Sequence, residues 1–144
     1  MMGTMDADEI IEHLRLEPHP EGGSFRETWR GPAEPNERAP GSAIYFLLRR
    51  GEVSRWHRVD SAEVWHFYEG APLELGISAD GAAEEVVSLG PDLDAGQRPQ
   101  FVVPADAWQR ARSLGDHTLV GCTVSPAFEF AGFELGGPDW RPGG

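Results

Sequence analysis

The run GEVSRWHRVDSAEVWHFYEG, residues 51–70, decides the fold. Glycine opens and closes it, and Asp60-Ser61 interrupts it with turn residues. The flanking segments, Val53 to Arg58 and Ala62 to Tyr68, have strand character and are predicted to form a hairpin. A hairpin sets residues on either side of its turn opposite one another. His57, near the end of the first strand, and Glu63, near the start of the second, are therefore expected on one face and within contact range. Alternation sends Trp65 and Phe67 to that face and Val64, His66 and Tyr68 to the other. Both faces carry bulky groups. One is expected to face a closed interior, and the other to be covered by the N-terminal segment or by a partner subunit.

Outward from this hairpin, short apolar runs recur between turn residues. Strands are predicted at Phe25 to Arg30, Ser42 to Arg49, Leu73 to Ser78, Glu84 to Leu89, Gln100 to Val103, Trp108 to Ser113, Leu119 to Val124 and Phe128 to Leu135. Glu84 to Leu89 and Trp108 to Ser113 also read as helix. Near the N-terminus, Asp6 and Glu9 form a capping box for a short helix with Ile10, Ile11 and Leu14 as its apolar stripe. Pro18-His19-Pro20-Glu21-Gly22-Gly23 is a rigid turn followed by a flexible one, with His19 shaping it. Gly31 to Gly41 is expected to be a mobile loop, and residues 136–144 a loose tail. Many short, evenly spaced strands imply an all-β sandwich or barrel. Residues 1–144 read as a single domain, with residues 1–17 as a helix and lead-in.

The composition agrees. At 144 residues the chain can bury roughly 70% of its unfolded surface without staples. Its 18 glycines and 12 prolines favour turns over long helices. A net charge of −12 opposes binding to phosphate backbones and anionic lipid, so neither nucleic acid nor membrane is an expected partner. Cys122 is the only cysteine, which excludes an internal disulfide. It sits in the apolar run Leu119 to Val124, where a buried structural thiol is expected. Met1 to Ile11 has three acids and no basic residue, unlike a signal peptide, and no apolar run reaches a membrane span. A cytoplasmic protein is the expectation.

The hairpin also resembles the first cupin motif, G-x5-H-x-H-x3-E-x6-G. Gly51, His57, Glu63 and Gly70 fit it, and Val59 stands where the second histidine belongs. In the second motif, Pro104 fits the proline, while Asp106, Gln109 and Ser113 replace glycine, histidine and asparagine. More broadly, residues 18–23, Phe25-Arg26-Glu27-Thr28, Ser42-Ala43-Ile44-Tyr45, residues 63–68 and Val120 to Pro126 resemble the DUF985 family, also called cupin 5. The likeness runs from about Leu16 to Leu135. It implies a cupin double-stranded β-helix, a jelly-roll-like barrel that is commonly a homodimer, and no settled reaction.

A metal-binding cupin uses three histidines and a glutamate. Here two of the four ligand types are missing, since valine cannot ligate and glutamine is a weak neutral ligand. No cofactor is expected. A divalent metal, if bound, would draw on His57, Glu63 and Gln109. Without metal, His57 is the expected base and Glu63 its partner for proton transfer, as in isomerase- or epimerase-type chemistry. Gln109, Trp65, Tyr45 and Arg26 are the candidate ligand-binding residues: an amide for orientation, a stacking wall, a strand phenol and an anion-binding guanidinium. His13 and His117 read as surface residues, and Phe128, Phe130 and Phe133 as packing. Three functions stay open. The first is a barrel binding a small polar, ring-containing metabolite with metal-independent catalysis. The second is a non-catalytic binding or sensing module. The third is a metal-dependent enzyme with a degenerate ligand set.

Overall fold

A computed structural model describes residues 5–144. One helix, α1 (Ala7–Leu14), precedes eleven strands: β1 (Glu17–Pro18), β2 (Ser24–Arg30), β3 (Ser42–Arg49), β4 (Val53–Val59), β5 (Ala62–Gly70), β6 (Leu73–Ser78), β7 (Glu85–Leu89), β8 (Gln100–Val103), β9 (Trp108–Ser113), β10 (His117–Ser125) and β11 (Phe133–Leu135). The predicted capping box is present: the Asp6 carboxylate accepts from the Glu9 amide, and the Glu9 side chain accepts from the Asp6 amide. Both segments that also read as helix are strands.

The strands form two antiparallel sheets, ordered β1-β2-β3-β10-β5-β8 and β11-β4-β9-β6-β7. Between them lies the core, with Phe46, Leu48 and Trp65 from the first sheet against Leu73, Leu75 and Ala111 from the second. Each fully buried leucine contributes roughly 1.5–3 kcal/mol by leaving water. The hairpin expected from residues 51–70 does not form: β4 pairs with β9 and β11 in the second sheet and β5 with β10 and β8 in the first, so the Asp60-Ser61 turn is a corner from one sheet to the other. Helix α1 covers part of the outer face of the first sheet, where Ile10 and Leu16 meet Leu47. It leaves Tyr68 of β5 half exposed.

Three further expectations need correction. The tail over residues 136–144 is held down rather than loose. Trp140 lies 4.2 Å from Trp108 and 5.7 Å from Trp56, centroid to centroid, and the Gly143 amide donates to the Gly81 carbonyl. One large aromatic surface outweighs the glycine and proline content around it. The loop from Gly31 to Gly41 is tied through Arg38, which donates to both Asp60 carboxylate oxygens and to the Ala127 carbonyl. His117 is buried, because β10 begins two residues earlier than predicted, and its Nε2 lies 3.0 Å from the Glu69 carboxylate.

Candidate functional site

A cavity of about 310 Å³ opens between the sheets at the end where β2, β3, β4 and β10 meet the Phe128–Phe130 segment. Strand alternation selects what enters it. From β2 the cavity takes Phe25 and Glu27, and from β3 Ile44 and Ser42. The β2–β3 register shifts between Glu27 and Trp29, so Arg30 opposes Ser42. This bulge turns Arg30 toward the cavity and leaves Trp29 half exposed outside. Val59, Val124 and Phe128 complete the apolar wall.

His57 and Glu63 both line the cavity. Each is buried, and their charges act on one another. The His57 Nδ1 lies 2.7 Å from the Arg55 carbonyl, which fixes the proton on that nitrogen and leaves Nε2 bare in the neutral ring. Glu63 Oε1 accepts from the Gln109 amide at 2.9 Å, and Cys122 lines the cavity beside it.

Glu21 and His19, next to His57, had no site role in the sequence reading. The turn at residues 18–23 docks against β4, since the Arg55 amide donates to the Glu21 carbonyl at 2.8 Å. Gly22 there has φ +112°, and a Cβ on it would strike the Val53 carbonyl oxygen. That approach delivers the Glu21 carboxyl to the floor, where Ser54 Oγ donates to Oε2 and Oε1 stands 3.6 Å from His57 Nε2. The His19 Nδ1 accepts from the Glu21 amide, and its ring meets Phe25 edge-on at 4.5 Å. The local signal was a glutamate between Pro20 and two glycines, which by itself reads only as a turn.

Burial governs the electrostatics. It pushes the Glu21 carboxyl up to about 8, with the Ser54 hydroxyl opposing. Glu63 rises to about 7 for the same reason, the His57 charge opposing and the Glu21 charge adding. Burial lowers His57, and it lowers His19 to about 4 with the His57 charge adding. Near neutral pH the floor therefore holds a protonated carboxyl at Glu21 and uncharged imidazoles. Cys122 is raised well above the ordinary thiol range by burial, which makes it a poor nucleophile.

The remaining candidates lie elsewhere. Gln109, opposite His57 in the β4–β9 pairing, sits behind Glu63 and orients it. Trp65 is buried beside Gln109 and packs on Phe46 rather than lining the cavity. Arg26 and Tyr45 are cross-strand partners on the outer face. The Arg26 guanidinium donates to the Leu14 carbonyl, and Tyr45 packs near α1 and Tyr68. Since Phe25 and Ile44 point inward, their neighbours Arg26 and Tyr45 must point out. His66 also faces out, toward Thr123.

Among the described residues, no three histidine, cysteine, aspartate or glutamate side chains gather in metal-binding geometry. Val59 lines the cavity where a ligating histidine would stand, and the Gln109 amide is committed to Glu63 and Trp65. The side chains present do not fit the three-histidine, one-glutamate set. No described helix is long and apolar enough to cross a membrane.

The family profile described as Cupin superfamily (DUF985) matches residues 8–136. A Shewanella oneidensis protein of known crystal structure is 42% identical, with 92% of this chain and 85% of that one covered and a TM-score of 0.88. A hypothetical protein from Leishmania major is 28% identical, with 92% and 88% covered and a TM-score of 0.84. An oxalate decarboxylase from Bacillus subtilis shares the fold at 12% identity and a TM-score of 0.63, with 82% of this chain and 29% of that one covered. No curated protein matches the chain.

Proposed function

The chain belongs to the DUF985 family of cupins, and we propose that this cupin binds a small polar metabolite in the cavity and isomerises it by metal-independent proton transfer between Glu21 and His57. The observation that carries this reading is the 3.6 Å approach of the Glu21 carboxyl to His57 Nε2 in the cavity, where both side chains are buried. Burial shifts a carboxyl and an imidazole in opposite directions, which makes one an acid and the other a base at the same pH.

The step balances for an α-hydroxy ketone or aldehyde. His57 Nε2 takes the proton from the hydroxyl-bearing carbon while Glu21 gives its proton to the carbonyl oxygen, leaving an enediol, an imidazolium and a carboxylate. Glu21 then takes the proton from the other enediol oxygen, and His57 returns its proton to the former carbonyl carbon. The carbonyl has moved by one carbon, and both side chains are restored. Burial in a poorly solvated site strengthens each of these contacts. Glu63, the partner expected from the sequence, is assigned to binding in this scheme.

The test is deuterium uptake from D2O into hydroxyacetone, 2-hydroxycyclohexanone, D-glucose and D-glucosamine, followed by NMR. Exchange by the wild type that is lost in both His57→Asn and Glu21→Gln supports the reading. Exchange that persists in either variant contradicts it.

A further inference from the structure

Among the charged side chains that line the cavity, carboxyls dominate. Glu21 and Glu63 stand in the interior, and Glu27 and Glu129 near the mouth. The one guanidinium in the lining, Arg30, is already engaged: its Nε and Nη2 donate to both Glu27 oxygens, and Nη2 also donates to the Phe128 carbonyl. An anionic ligand would meet the Glu27, Glu63 and Glu129 carboxylates beside an uncharged Glu21, and a guanidinium already paired with one of them. A phosphate or carboxylate is therefore disfavoured here.

The opposite charge has one. Glu63 is 7% exposed, and Gln109 holds it by Oε1. That uses one of the carboxylate's roughly four acceptor sites and leaves others open to the cavity. Aromatic rings surround the space above it. Phe25, Phe128 and Phe130 line the cavity, with Phe128 and Phe130 edge-to-face at 5.0 Å. Ring faces attract a cation and also pack an apolar ring. The volume, about 310 Å³, is at the small end for a small-molecule site and accommodates one ring with substituents.

We propose that the ligand is a protonated amine carried on a single small ring, with Glu63 as the ammonium anchor and the phenylalanines against the ring. This rests on the reading of the cavity as the binding site, and it divides the carboxyls: Glu63 binds, Glu21 transfers the proton. Gln109 is a positioning residue that aims Glu63.

The test uses three probes with the same ring: cyclohexylamine, cyclohexanol and cyclohexanecarboxylate. Their affinities are measured by NMR titration at pH 7.5. The expected order is amine over alcohol by at least about tenfold, with the carboxylate weakest, since a charge-assisted contact replaces a neutral one. Glu63→Gln keeps an acceptor for Gln109 and the shape of the side chain. It should bring the amine to within about twofold of the alcohol, with the alcohol's own affinity kept as the sign of an intact cavity. Equal or tighter carboxylate binding, an amine preference that survives Glu63→Gln, or no binding by any of the three would overturn the proposal. Wild-type deuterium exchange on the neutral substrates that is lost in Glu21→Gln, in a protein showing no amine preference, would overturn this proposal while upholding the proton-transfer reading.

Discussion

The indole N–H of Trp65 donates to the Gln109 amide oxygen at 2.7 Å, and this contact settles which way the Gln109 amide points. With its oxygen taken, Gln109 turns its N–H toward Glu63 Oε1 at 2.9 Å. A buried tryptophan thus orients a cavity carboxyl through one intermediary.

Trp65→Phe should expose this relay. It keeps an aromatic ring but leaves the Gln109 oxygen without its donor in a dry site. A stability loss of about 1–3 kcal/mol is expected, from the orphaned acceptor and the smaller ring. Chemical denaturation measures it. The double variant with Gln109→Leu should cost less than the sum of the single changes, because the second substitution removes the orphaned group.

Stability should fall as pH rises from 6.5 to 8. Glu21 has a folded value of about 8 against 4.5 when unfolded, so its contribution is complete below 4.5 and is lost as pH climbs through 8. Glu63 acts in the same direction up to about 7. His19, lowered to about 4, works oppositely, but only as pH drops below 6.5. Glu21→Gln should therefore remove most of the decline above 6.5, a difference on the order of 2 kcal/mol between the two ends. Urea denaturation at four pH values tests this, and parallel curves for the two proteins would refute it.

The missing ligands can be supplied. Val59 follows His57 by two residues on the same strand face, and Gln109 opposes His57 on β9. A Val59→His, Gln109→His double variant should retain zinc or manganese through dialysis, whereas the wild type should not. Metal analysis by mass spectrometry reads both. Wild-type retention that His57→Ala abolishes would contradict the ligand count.

Trp140→Ala should destabilise the fold by about 2 kcal/mol through lost contact with Trp108 and Trp56. It should also speed proteolysis after residue 136. An unchanged melting temperature and cleavage pattern would mean that the tail contributes nothing.

How much of this was legible in the sequence varied with the range of the interactions. Strand alternation and the Asp60-Ser61 turn pointed His57 and Glu63 into one cavity, but not by the cross-strand pairing expected: the turn passes between two facing sheets whose inner faces look into the same space. Arg26 and Tyr45 were misplaced as ligand contacts, although the signal was there: their apolar neighbours Phe25 and Ile44 mark the inner face and send them out. Glu21 was not. Its place depends on a turn docking against β4 across more than thirty positions of chain, through a backbone contact that no side-chain pattern announces. Trp140 was hidden by a similar effect, since its partners arrive from β4 and β9. The Gln109 substitution was visible, but its tie to Trp65 required coordinates.

The central claim is an uncharged His57 with a bare Nε2 beside a protonated Glu21. Ring-nitrogen NMR of His57 as a function of pH tests it most directly. A neutral ring with its proton on Nδ1, persisting below the ordinary imidazole range, is the predicted result. An imidazolium at pH 7, or a proton on Nε2 instead, would contradict it.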